Sequence, residues 1–160
     1  MSYLKRSLAT VLALGLLAGP TSAPAAPPAK PPKEPAKIQV NVEPATVSAG
    51  QEATVTVRLN PIDGVKINRY PRIKLQLPSV GGIVAASKAE FGSDKPPAPN
   101  ELDKNYFTSV EPLDLGIQLD GAAPGGNHEL EGKVTYNYCV LASGFCSRFS
   151  GPFKVLIAVR

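Results

Sequence analysis

The chain predicts an all-β fold, an immunoglobulin-like β-sandwich of about seven antiparallel strands. Two observations carry that prediction. Apolar residues alternate with polar ones at period two in several separate stretches. Gly and Pro interrupt the chain roughly every ten to fifteen residues, with no convincing helical spacing between them. A sandwich follows because each such sheet has one apolar face, and two sheets pressed together hide both.

The elements come in order. Ile38, Val40 and Val42 alternate with Gln39, Asn41 and Glu43, which predicts a half-buried strand. Ala53, Val55, Val57 and Leu59 alternate with Thr54, Thr56, Arg58 and Asn60 in the next. The link "PATVSAGQ" carries turn residues, and "NPIDGVKIN" supplies a further turn around Asp63 and Gly64. In "RIKLQL" the residues Ile73, Leu75 and Leu77 share a side, and Pro78 ends the strand. Glycines and prolines between Ser79 and Asn105 allow only a short strand near Ile83 to Ala86 and then a long surface loop, "SDKPPAPNELDKN". Leu113, Leu115, Ile117 and Leu119 alternate again, and "GAAPGGN" turns into a last hairpin of "HELEGKVTYNYCV" and "PFKVLIAVR". The absence of Trp and the short cysteine spacing exclude the antibody version of the sandwich.

Residues 1–25 are expected to lie outside this domain. Lys5 and Arg6 precede an apolar run from Leu8 to Ala18, and Ala23 and Ala25 stand at the small-residue positions of a signal-peptide cleavage site. The run is far shorter than the roughly 20 residues of a spanning helix. No later stretch is long and apolar enough to cross a bilayer, so no transmembrane span is expected after cleavage. Residues 26–37, "APPAKPPKEPAK", form a Pro-rich linker of extended geometry, and residues 38–160 form the domain. Expected localisation is periplasmic or secreted, in a bacterial envelope.

Charge excludes one class of partner. The chain has 17 Lys and Arg against 13 Asp and Glu; without Lys5 and Arg6 the count is 15 against 13, a net of +2. So thin an excess, with no basic stripe, does not predict nucleic-acid binding. His128, the single histidine, sits in the turn "GGNHE" without a second ligand nearby, so neither a metal site nor a Ser-His-Asp site is expected. No cofactor is expected either.

The chemistry rests on Cys139 and Cys146, the only two cysteines. Outside the cytosol they are expected to pair, at the facing ends of two antiparallel strands. Strand alternation puts Leu130, Val134, Tyr136, Tyr138 and Val140 on one face. Glu129, Glu131, Lys133, Thr135, Asn137 and Cys139 fall on the other, polar face, where a foreign thiolate could attack the bond. One β-bulge before Cys139 would invert that assignment. The closed ring of eight residues is worth about 2.5 kcal/mol by loop entropy. No Cys-x-x-Cys opens a helix to activate a thiol, and Arg148 and Lys133 are the available sources of positive potential. On these residues alone a structural staple and a redox pair are equally open.

The run "TYNYCVLASGFCSRFSGPFKV", preceded by "GGNHELEGKV" and upstream by "DGVKIN" and "RIKLQLP", resembles the N-terminal periplasmic domain of the bacterial thiol:disulfide interchange protein DsbD and its stand-alone relatives. The likeness covers nearly all of residues 38–160. It implies an immunoglobulin-like sandwich in which Cys139 and Cys146 cycle between dithiol and disulfide. Electrons would come from a membrane-embedded thiol reductase and leave to thioredoxin-like periplasmic proteins. An aromatic after an acidic residue shields the cysteines in that family, and "AEFGSD" matches it, making Phe91 the candidate cap. Tyr138 is a second shielding candidate because it adjoins Cys139. The competing expectation is a non-catalytic immunoglobulin-like binding or structural module with an inert disulfide. Whether the chain is an enzyme, a thiol:disulfide oxidoreductase, is therefore undecided by sequence.

Overall fold

A computed structural model of the chain describes residues 30–160. The expected signal segment, residues 1–25, lies outside the described residues, as do residues 26–29 of the linker. Among the described residues nine strands form: β1 (Ala36–Glu43), β2 (Thr46–Val47), β3 (Glu52–Pro61), β4 (Val65–Ile67), β5 (Ile73–Leu77), β6 (Ser87–Phe91), β7 (Leu113–Gln118), β8 (Gly126–Val140) and β9 (Phe145–Val159). One 3-10 turn, Leu102–Asn105, interrupts the loop before β7.

The strands make a β-sandwich of two sheets. One has the order β1-β3-β7 and is antiparallel throughout. The other has the order β2-β9-β8-β5-β6, with β4 beside β5 on the same flank of β8, and all its pairs are antiparallel except the short β2–β9 pair. The core is built by the period-two residues. Val55, Val57 and Leu59 from β3, Leu113, Leu115 and Ile117 from β7, and Ile73, Leu75 and Leu77 from β5 are all buried between the sheets. Ile38, Val40 and Val42 of the outer strand β1 are half-buried and pack against them. Burying a Val, Leu or Ile side chain is worth about 1.5–3 kcal/mol, so these alternations settle which face of every strand turns inward.

Several boundaries differ from expectation. The count is nine rather than about seven because β2 and β4 are only two and three residues long, inside segments whose turn residues dominate the local signal. Ile83 to Ala86 contributes only isolated bridges at Val84, and the strand forms four residues later as β6. There Lys74 and Glu90 pair across β5 and β6 at 3.0 Å. The linker gives way to strand two residues early, at Ala36, because β1 continues its register with β3 to Pro61. The last strand begins at Phe145 instead of Pro152, which makes β8 and β9 a continuous hairpin of 15 residues on each side.

Candidate functional site

That hairpin carries the two cysteines at its tip. Its register runs without a bulge from Gly126 opposite Val159 to Val140 opposite Phe145, and it sets Cys139 directly opposite Cys146. Their Cα atoms are 4.0 Å apart and their sulfurs are bonded. The four turn residues, Leu141 to Gly144, are exposed, and Gly144 adopts a positive φ of 66° that closes the turn at no steric cost. Because no bulge intervenes, the disulfide projects from the outer face of its sheet, as the alternation predicts.

The two cysteines are not equivalent. Cys146 is exposed, whereas Cys139 is only 4% exposed although it stands on the outer face. The cover comes from the other flank of β8. There β4 pairs with the hairpin tip, Lys66 opposite Cys139 and Ile67 opposite Tyr138, and the Asn68 N–H donates to the Asn137 carbonyl at 2.9 Å. One row across the outer face is thus Lys66, Cys139, Cys146. The next is Tyr106, Asn68, Asn137, Arg148. The Asn68 Oδ1 lies 3.6 Å from the Cys139 sulfur, and the Lys66 ammonium lies over the Tyr106 ring, 5.6 Å from its centre. A disulfide sulfur carries no proton, so the Asn68 approach is a contact in the oxidised form.

Cys146 faces an open edge. The Arg160 N–H donates to the Val47 carbonyl of β2, so even-numbered residues of β9 direct their backbone polar groups away from β8. The pairing with β2 ends at Ala158. Among the described residues no strand pairs with that side of β9 at Cys146, Arg148 and Ser150, all three exposed. Lys66 and Arg148 have no carboxylate within ion-pair distance among the described residues, so the face around the exposed sulfur is weakly cationic.

The other candidates are distributed as follows. Phe91 stands opposite Ile73, so it points to the inner face, packs against the core and is separated from β8 by β5. Tyr138 also points inward, 3% exposed, opposite Ile67 and Ser147. The aromatic residue on the sulfur face is Tyr106, which sequence reasoning missed because only a long-range pairing brings it there. Asn68 and Lys66 were visible in "DGVKIN", but their neighbours were not. Arg148 is diagonal to Cys139, whereas Lys133 lies six residues along β8, about 20 Å away. His128 sits toward the opposite end of the hairpin, its Nε2 2.8 Å from the Pro124 carbonyl oxygen. A concavity of about 650 Å³ is also remote, against Glu131 to Lys133. The disulfide thus lies at the exposed tip of the hairpin, away from that concavity.

The chain matches no protein-family model, and a search of curated proteins finds no match. Among the described residues no helix is long and apolar enough to cross a membrane.

Proposed function

We propose that the chain is an exported thiol-disulfide exchange domain of the kind found at the N-terminus of DsbD, passing electrons between envelope partners through Cys139 and Cys146. The observation that carries this reading is the asymmetry of the pair, Cys146 exposed beside an unpaired strand edge and Cys139 buried. Exchange requires a thiolate to approach along the S–S axis, and only Cys146 offers that approach.

The reaction balances as follows. A partner thiolate attacks the Cys146 sulfur, forms a mixed disulfide with it and expels Cys139 as a thiolate. A second thiolate of the partner then attacks the partner's own sulfur and expels Cys146. The partner leaves as a disulfide, and two electrons and two protons stay on the pair. Running backwards, the reduced pair delivers them to an oxidised partner. Thioredoxin-like proteins and a membrane-embedded thiol reductase fit these two roles, in keeping with the signal-like start of the chain.

Single-cysteine variants test the proposal in cells. Cys139→Ala keeps the exposed sulfur and removes the group that resolves the mixed disulfide, so it accumulates covalent adducts with envelope proteins. Cys146→Ala captures far less. The in-register position of the bond also suits an inert staple in a binding module, and that reading predicts no adduct with either variant.

A further inference from the structure

We infer that Asn68, Lys66 and Tyr106 form a lid over Cys139, pinned by Asn105, which restricts exchange to Cys146. The inference deepens the exchange reading by naming what makes the pair one-sided.

Parity alone puts both sulfurs on the outer face, so their unequal exposure needs a cause outside the hairpin. It lies in the short segment after the 3-10 turn. Residues 105–107 run along the free edge of β4. The Phe107 N–H donates to the Ile67 carbonyl at 3.0 Å, the Arg69 N–H donates to the Asn105 carbonyl, and Asn68 and Tyr106 face each other across a bridge. The Asn105 side chain fixes this strap by copying a peptide group. Its Oδ1 accepts from the Tyr70 N–H at 3.0 Å, and its Nδ2 donates to the Tyr70 carbonyl at 3.1 Å. Strap, β4 and hairpin tip thus make one continuous surface on which Tyr106 is directly opposite Asn68. The Tyr106 ring holds the Lys66 ammonium by a cation–π contact, which draws the lysine stem across the face beside Cys139. Asn68 closes the diagonal at 3.6 Å. Neither Phe91 nor Tyr138 shares this face.

The lid has a kinetic consequence. A thiol reacts in proportion to its thiolate fraction and its access, and the lid removes access at Cys139 while leaving Cys146 free. The attack on the exposed sulfur therefore always releases the covered one. The covered thiolate is then kept beside Cys146, positioned to close the ring again before another thiol intervenes.

The test uses the reduced single-cysteine proteins and dithiobis-nitrobenzoate as probe. The protein thiolate attacks one probe sulfur, the probe S–S bond breaks, and a coloured thiolate leaves with the electron pair. Cys146, left alone by Cys139→Ala, is expected to react at least roughly a hundredfold faster than Cys139, left alone by Cys146→Ala. Adding Tyr106→Ala, Asn68→Ala or Asn105→Ala to the Cys146→Ala protein is expected to raise the Cys139 rate about tenfold or more. Tyr106→Phe keeps a ring for Lys66 and leaves the rate near that of its parent, as does Phe91→Ala on the inner face. Melting of each variant shows that the domain is folded, and a rate rise in a folded Asn105→Ala protein, whose change is remote from the sulfur, supports the strap. Equal rates for the two cysteines, or lid variants that melt normally and react no faster, would overturn the inference. Neither outcome depends on a partner, so the lid can fail while adduct capture in cells succeeds, and the reverse.

Discussion

Among the described residues Tyr136 is the largest fully buried side chain of the core, and its hydroxyl has no hydrogen-bond partner there. Burial pushes its pKa up, with the charge of Tyr138 a smaller cause in the same direction, so it stays neutral at any ordinary pH. The Ala36 backbone is near enough to favour the phenolate slightly, yet without hydrogen-bond geometry. The ring itself packs on Phe149, 5.0 Å between centroids. An unpartnered buried hydroxyl costs about 1–3 kcal/mol, so Tyr136→Phe keeps the packing and is expected to hold or raise stability, by up to about 1 kcal/mol. Thermal melting checks this, and a loss of stability would mean that the hydroxyl has a partner after all. At the same scale the parity of Cys139 could be read from sequence because alternation is a local property of one strand. Its burial could not, because Asn68 reaches it across a sequence separation of 71 and Tyr106 joins that face across a separation of 33.

Among the elements, the β8–β9 hairpin depends on Gly132. Its Cα pairs with Phe153, whose buried ring occupies the space that a side chain at Gly132 would need. Gly132→Ala forces that ring out of its place in the core and is expected to cost about 1–3 kcal/mol. Chemical denaturation would show it as a lower midpoint at unchanged slope; an unchanged midpoint would mean that the ring yields freely. The β5–β6 pair offers a test by pH. Hydrogen bonding and charge from Lys74, with a lesser contribution from Arg72, hold Glu90 below its ordinary 4.5. A group whose folded pKa is depressed contributes stability above its unfolded pKa and loses it as pH falls through the folded value. Stability should therefore decline below about pH 4.5, and Lys74→Met should flatten that part of the decline. An identical acid profile in the variant would remove the Lys74–Glu90 pair from the account. The long alternating strands were legible in advance because each repeats its signal over several residues. Strands of two and three residues such as β2 and β4 have no period to detect, and tertiary pairing alone defines them.

For the whole molecule the core and the disulfide are separable. The sandwich buries apolar side chains from both sheets, most of them far from the hairpin tip, while the ring of eight residues from Cys139 to Cys146 adds about 2.5 kcal/mol by loop entropy. The reduced domain is accordingly expected to remain folded and to unfold at lower denaturant than the oxidised form, a difference read directly from paired denaturation curves. A protein that collapses on reduction would be using the bond as a staple and could not cycle. The most direct test of the central claim is the reduction potential of Cys139–Cys146, measured by equilibrating the folded domain in defined thiol-disulfide buffers. An exchange pair is predicted to titrate at a potential less negative than about −300 mV, within reach of biological thiols, and a value more negative than that would contradict the account.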